Sequence, residues 1–390
     1  MPHPLEWIAD ALNRLEDQGL RRTRSTRSTS CRAHRIEFDG QSLIQFSSND
    51  YLGLAAEPLV PAVRNAVDAV GWGSGSSPLI SGHGALHADL EQRLAEFEGT
   101  DAALLFPSGF AANLGAITAL AAPGDAVFSD AKNHASIIDG CRLSGAQIIV
   151  FPHRDVTCLR SLLAESGDFR RRLIVTDGLF SMDGDLAPLD RLAELAEQFG
   201  AMLMVDEAHA TGVFGADGRG VSQHLGAEAG IHLRIGTLSK GLGSIGGFAA
   251  GSRSIVDWLV NRARSYIFST ALPEATAAAA LEALRYVREE PHRRSQLRER
   301  SQLLRSELRQ QGWDLGDSAS QILPLYVGDP QDAVTLSAEL RRAGLLVPAI
   351  RPPSVPPGEA LLRISLSYAH PPSAIDALTA ALHSRRPQRA

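Results

Sequence analysis

The chain has 390 residues, 44% hydrophobic and 21% charged, with a formal net charge of −6. That length suits one large α/β domain plus a smaller one with a sizeable core, and the acidic balance argues against nucleic acid as the main partner. Cys31, Cys141 and Cys158 are odd in number without metal-ligand spacing, no apolar run approaches the ~18 residues of a membrane span, and an N-terminus carrying Glu6, Asp10, Glu16 and Asp17 reads as neither signal nor transit peptide; the expectation is a cytoplasmic protein without zinc.

Leu5, Ile8, Leu12 and Leu15 have helical spacing, which predicts an amphipathic helix over 5–20. Residues 21–35 are rich in Arg, Ser and Thr and have no apolar period. They predict an exposed arm, either solvated or offered to phosphate or carboxylate groups, with Arg21 at its hinge. Residues 42–46 lead into a polar turn at 47–54, and a helix is expected over 60–70. The stretch 71–84 then holds five glycines and four serines. So much glycine costs chain entropy and needs a reason, such as close backbone approach to a ligand or partner.

After a helix at 87–97, short apolar runs occupy 102–106, 126–128, 147–151, 173–176, 202–205, 233–235 and 247–250. Most are separated by helix-length segments or by turns bearing Gly and Pro. This alternation predicts a mostly parallel sheet buried on both faces, with polar chemistry at the C-terminal ends of its strands. Residues 274–287 and 293–310 read as helices, the second with a solvated charged face. Residues 321–327, 332–343, 345–350, 361–367 and 372–383 read β-α-β-β-α. The expected division is 1–45 as N-terminal helix and arm, 46–285 as the large domain, and 286–390 as a small α+β domain.

Four strand ends converge on one chemistry. Ser108-Gly109-Phe110 lies where a strand gives way to a helix, and the open N–H groups of a helix start bind anions. Asp206-Glu207-Ala208-His209 closes a buried strand; a carboxylate there can keep a pyridine nitrogen protonated. Metal binding is the competing reading of that cluster, but no second group of suitable ligands accompanies it. His134, in Lys132-Asn133-His134-Ala135-Ser136, could stack on a flat cofactor or serve as a structural loop histidine. Lys240, in Gly236-Thr237-Leu238-Ser239-Lys240-Gly241-Leu242-Gly243, is one of only two lysines, with Lys132. A lysine on a tight turn after a strand loses solvent, which suits imine formation.

An anion-binding turn, an aspartate, a stacking ring and a lysine at the ends of one parallel sheet describe a pyridoxal-phosphate site. A competing motif is Gly241-Leu242-Gly243-Ser244-Ile245-Gly246, which matches the dinucleotide fingerprint G-x-G-x-x-G. That fingerprint requires a following helix, whereas Phe248-Ala249-Ala250 reads as a strand, so a nicotinamide dehydrogenase is the lesser alternative. Neither lysine follows a glycine as in a P-loop, and no G-x-S-x-G elbow exists.

Over nearly its whole length the sequence resembles the α-oxoamine synthases, fold-type I pyridoxal-phosphate acyltransferases. The matching motifs are Phe46-Ser47-Ser48-Asn49-Asp50-Tyr51-Leu52-Gly53-Leu54, Ser108-Gly109-Phe110-Ala111-Ala112-Asn113, Asn133-His134-Ala135-Ser136, Phe180-Ser181-Met182-Asp183-Gly184-Asp185, Asp206-Glu207-Ala208-His209-Ala210-Thr211-Gly212 and Thr237-Leu238-Ser239-Lys240. The resemblance implies that Lys240 is the Schiff-base lysine, Asp206 the partner of the ring nitrogen, and His134 the stacking ring. Ser181, His209 and Thr237 would contact the cofactor's phenolate and phosphate, with Ser108, Gly109 and Phe110 at the phosphate. Ser269 and Thr270 would reach the phosphate from a second subunit, which implies a homodimer with shared active sites.

Arg21, Asn49, His134, Arg351, Ser354 and Arg363 would bind substrate, Arg363 through the amino-acid carboxylate. Arg351-Pro352-Pro353 is similar to the biotin-pathway branch of the family, which joins L-alanine to a pimeloyl thioester, pimeloyl-CoA or pimeloyl-ACP. Serine palmitoyltransferases share Arg-Pro-Pro but usually continue Ala-Thr-Pro, and the glycine-using members carry a Tyr-Pro version. Asp177 stands where Glu is usual, Ser354 where Thr is usual, and Pro78 where Arg, Gly or Ser is more typical.

Overall fold

The computed structural model describes residues 3–27 and 34–385. The chain forms two compact units, Asn49–Ser181 with Asp185–Arg298, and Met1–Ser48 with Met182–Gly184 and Glu299–Ala390. The divisions expected at 45 and 285 thus fall at Ser48 and Arg298, and the N-terminal segment groups with the C-terminal residues. Strand pairing is the reason: Gln41–Gln45 pairs antiparallel with Arg35–Phe38 and parallel with Leu345–Leu346.

The larger unit is built on seven strands, β1 (Ala102–Phe106), β2 (Ala126–Asp130), β3 (Gln147–Phe151), β4 (Arg172–Asp177), β5 (Met202–Asp206), β6 (Leu233–Thr237) and β7 (Gly247–Gly251). Their order across the sheet is β1-β7-β6-β5-β4-β2-β3, and only β7 runs opposite to the other six. The short apolar runs make strands without alternation because both faces are covered. Only the edge strand β3 leaves Ile148 and Val150 exposed. On one side, α1 (Gly109–Leu120) packs through Ala112, Ala116 and Ile117 into a core that includes Ile137 and Cys141 of α2 (Ala135–Ser144).

The G-x-G-x-x-G stretch is a turn between the antiparallel strands β6 and β7, with no helix after it. Gly247 begins β7 beside the start of α1: a Cβ there would lie 2.4 Å from the Gly109 nitrogen. Its lack of a side chain lets the strand reach the helix N-terminus. In the glycine-rich segment, Pro78–Gly82 forms a π-helical turn, which apolar spacing does not reveal.

In the smaller unit, Ile322–Gly328, Ala360–Ser365 and Ala349–Ile350 make an antiparallel sheet, accompanied by the helices Pro330–Arg342 and Pro372–His383. The single strand expected over 345–350 is two. Leu345–Leu346 joins Gln41–Gln45, whereas Ala349–Ile350 joins Ala360–Ser365. Pro348 stands between them and has no N–H to give a ladder. The expected N-terminal helix covers Glu6–Asp17 and buries no residue. Of the arm expected over 21–35, residues 28–33, Cys31 among them, lie outside the described residues.

Candidate active site

The C-terminal ends of β1, β2, β4, β5 and β6 supply the polar groups of the larger unit. Beyond β1, Ser108 caps α1: its hydroxyl accepts the Ala111 N–H at 3.1 Å. The first-turn N–H groups of Gly109 and Phe110 precede the intrahelical ladder and are open to an anion. Thr237, the last residue of β6, is buried against Gly109, and its hydroxyl lies 2.8 Å from that of Ser239 and donates to the Gly246 carbonyl at 2.9 Å.

Lys240 sits on the turn after β6 and is half-buried. Its Nζ lies 2.8 Å from His209 Nε2, and His209 Nδ1 lies 2.6 Å from the hydroxyl of the buried Tyr51. That hydroxyl also donates to Asn49 Oδ1 at 3.1 Å. The sequence places Asn49, His209 and Lys240 in the site; the structure adds Tyr51, whose hydroxyl joins His209 to Asn49. An aromatic hydroxyl within the polar turn at 47–54 is the available signal.

Asp206 ends β5 and is nearly fully buried. One carboxylate oxygen accepts the Ala208 N–H at 2.8 Å, and the other accepts the Asn113 amide at 2.6 Å. Asp177 ends the neighbouring strand β4 opposite Asp206, and it accepts the His134 N–H at 2.8 Å. Burial, reinforced by the Asp206 charge, pushes the Asp177 carboxyl well above the usual carboxylate range. Two carboxyl groups side by side in a buried site do not both ionise readily.

His134 caps α2 and exposes part of its ring, with the Phe110 ring 6.4 Å away and edge-on. Desolvation pushes its imidazole below the ordinary range; the Asp206 charge opposes this and Lys240 adds to it. Ser181 is half-buried on the segment that follows β4. The Ser269 hydroxyl donates to the Thr270 carbonyl at 3.4 Å.

The remaining sequence-derived residues belong to the smaller unit. Arg21 is exposed and pairs with Glu16 at 3.1 Å. Arg351 donates to the Gly19 carbonyl, and burial, with Arg22 nearby, pulls its guanidinium below the ordinary value. Ser354 is exposed, and its N–H donates to the Arg351 carbonyl at 3.0 Å. Arg363 is buried in Ala360–Ser365 and donates to the Ser365 hydroxyl at 2.8 Å.

Among the described residues, no group of three or more His, Cys, Asp or Glu is arranged to hold a metal, and no helix is long and apolar enough to cross a membrane. What the strand ends do fit is an anionic, ring-bearing group that forms an imine. Open helix N–H groups suit a phosphate, exposed His134 and Phe110 rings suit a flat face, Asp206 suits a ring cation, and Lys240 is the amine.

The chain matches the aminotransferase class I and II family over residues 41–382. It is 50% identical over 358 residues to the 8-amino-7-oxononanoate synthase of Methylococcus capsulatus, covering 91% of this chain and 92% of that protein. A serine palmitoyltransferase of S. paucimobilis, solved with a bound PLP-myriocin aldimine, superposes with a TM-score of 0.92 at 31% identity, covering 97% and 96% of the two chains. The Francisella tularensis 8-amino-7-oxononanoate synthase superposes with a TM-score of 0.76 at 28% identity, over 88% and 97%.

Proposed function

The chain belongs to the aminotransferase class I and II family and, within it, to the 8-amino-7-oxononanoate synthases, and from that premise we propose the reaction and the residues that carry it. The protein is a pyridoxal-phosphate-dependent acyltransferase of biotin biosynthesis that forms 8-amino-7-oxononanoate. Its substrates are L-alanine and a pimeloyl thioester, which react in a decarboxylative Claisen condensation releasing CO2 and the free thiol. One observation carries the residue assignment: of the two lysines, Lys240 lies in contact with His209 on the turn that follows the strand next to the one that ends in Asp206.

Pyridoxal phosphate, when bound, supplies an electron-withdrawing ring that makes loss of the α-proton and of CO2 feasible. Lys240 is the amine that holds the cofactor and, once released by the amino acid, removes and returns the proton at the α-carbon. His209 receives the lysine's hydrogen bond, and Tyr51 and Asn49 hold His209 in turn. Asp206 keeps the ring nitrogen protonated, and His134 covers one face of the ring. Ser108 and the N–H groups of Gly109 and Phe110 hold the phosphate, with Thr237 beside them, and Ser181 contacts the cofactor's phenolate.

Arg363 binds the amino-acid carboxylate, where bidentate pairing fixes the bond to be broken. Arg21, Asn49, Arg351 and Ser354 are assigned to substrate on the motif match. Ser269 and Thr270 serve the phosphate of a second copy in a homodimer.

The test is product formation from L-alanine with pimeloyl-CoA and with pimeloyl-ACP, followed as thiol release and confirmed by mass. Glycine and L-serine, the latter also with palmitoyl-CoA, are run beside them. Turnover restricted to L-serine with palmitoyl-CoA would overturn the reading in favour of a serine palmitoyltransferase activity.

A further inference from the structure

Asn113 is polar and nearly fully buried on α1, a helix whose other buried residues are Ala, Gly, Ile and Leu. Both hydrogens of its amide are used. Nδ2 donates to Asp206 Oδ2 at 2.6 Å and to Ser136 Oγ at 2.9 Å. The reverse placement of the amide would set its oxygen against the carboxylate, so the orientation is fixed by charge. Its Oδ1 is buried without a partner among the described residues. A buried polar atom left unpaired costs free energy, so the two donor contacts are made in spite of it.

Hydrogen accounting then runs on to His134. Ser136, fully buried, accepts from Asn113 and keeps one hydroxyl hydrogen to give. His134 Nδ1 lies 2.8 Å from that hydroxyl and 3.2 Å from the Ser136 backbone nitrogen. Two donors on Nδ1 leave the neutral ring's proton on Nε2.

We propose that Asn113 is a positioning residue of the active site. Through the string Asp206–Asn113–Ser136–His134 it holds the carboxylate for the cofactor's ring nitrogen and fixes His134 as the Nε2–H tautomer. This rests on the assignment of Asp206 and His134 to pyridoxal phosphate. The other ionisable groups acting on the two ends are Asp177 from β4, Lys240 after β6 and Asp139 from α2. None of them donates to Asp206 in place of Asn113.

The experiment uses Asn113→Ala, Ser136→Ala and Ser136→Thr with two readouts. The first is nitrogen NMR of labelled histidine in the cofactor-free protein. Wild type and Ser136→Thr should show His134 as Nε2–H, and Ser136→Ala, which keeps only the backbone N–H on Nδ1, should show a larger share of the Nδ1–H tautomer than wild type. The second is the pH midpoint of the visible absorbance of the lysine-bound cofactor. A carboxylate that has lost the Asn113 donor holds the ring cation less well, and a less positive ring lets the neighbouring imine keep its proton to higher pH. Asn113→Ala should therefore raise the midpoint by about one unit and weaken cofactor binding about tenfold, while Ser136→Ala leaves the midpoint in place.

A purely structural Asn113 would lower thermal stability and leave the absorbance midpoint and the cofactor affinity unchanged. An unchanged midpoint in Asn113→Ala, or a wild-type His134 protonated on Nδ1, overturns the proposal. Asn113→Ser repeats the absorbance test if the alanine variant is insoluble. Wild type that takes up no pyridoxal phosphate overturns the functional reading instead, so the two failures are distinct.

Discussion

His153 offers the sharpest test of how the segment bearing Ser181 is held. Its Nδ1 lies 2.9 Å from Asp130 and its Nε2 lies 2.9 Å from Asp185, with the side chain 19% exposed and the carboxylates 2% and 5%. Arg154 reaches Asp185 at 2.9 Å, and the Phe180 ring meets the imidazole edge-on at 4.4 Å. Desolvation alone would lower the imidazole's pKa, but hydrogen bonds and charge from the two carboxylates outweigh it and raise the pKa from 6.5 to about 9. A group whose folded pKa is raised contributes stability that is complete below the unfolded value of 6.5 and lost as pH rises through 9. A shift of that size corresponds to about 3 kcal/mol.

His153→Gln keeps a donor and an acceptor but removes the charge. At pH 6 its thermal midpoint should lie about 4–6 °C below wild type, and the gap should close as the pH approaches 9.5. Carbon NMR of labelled histidine should show His153 titrating near the raised value. Wild-type and variant midpoints that run parallel from pH 6 to 9.5, or a His153 titration at or below 6.5, would refute the reasoning.

Lys240→Ala should take up pyridoxal phosphate without the visible absorbance of the lysine-bound cofactor, and turnover should fall by at least about 10³-fold; a coloured, active variant would remove Lys240 from its role. Asp206→Asn should retain cofactor while the exchange of the L-alanine α-proton into deuterated solvent slows, and an unchanged exchange rate would count against the ring-nitrogen contact. Gly247→Ala would set a methyl 2.4 Å from the Gly109 nitrogen. The helix start must move, at a cost of about 1–3 kcal/mol. Affinity for pyridoxal phosphate should drop more than affinity for pyridoxal, measured by fluorescence titration, and equal losses for the two would contradict a phosphate site at Gly109 and Phe110.

The sheet was legible in the sequence because strands covered on both faces must be short, apolar runs, and the turns between them must carry the polar residues. The grouping of Met1–Ser48 with Glu299–Ala390 was not, because it rests on the pairing of Gln41–Gln45 with Leu345–Leu346, some 300 residues apart. No local pattern encodes such a register. The split of the expected strand over 345–350 could have been read from Pro348. Asn113 carried a signal too, as a polar residue within an apolar helix, but its partners come from β5 and α2, and only the fold brings those together.

Three neighbouring strands, β2, β4 and β5, each end in an aspartate, and the structure settles each one differently. Asp130 receives the His153 cation together with the N–H groups of Lys132 and Arg154. Asp177 is driven toward the neutral acid by burial and by the Asp206 charge beside it. Asp206 accepts the Asn113 amide and the Ala208 N–H, bonds that favour a carboxylate. Asp206 has a donor on each carboxylate oxygen and Asp177 has the His134 N–H on one, and neither has a cation bonded to it among the described residues, whereas Asp130 already holds His153. A cationic ring nitrogen would find its partner at Asp206, and the upward push on the Asp177 carboxyl leaves less competing charge beside it. The sequence singles out Asp206 by its motif; the surroundings that set it apart from Asp130 and Asp177 are contributed by helices and loops elsewhere in the chain.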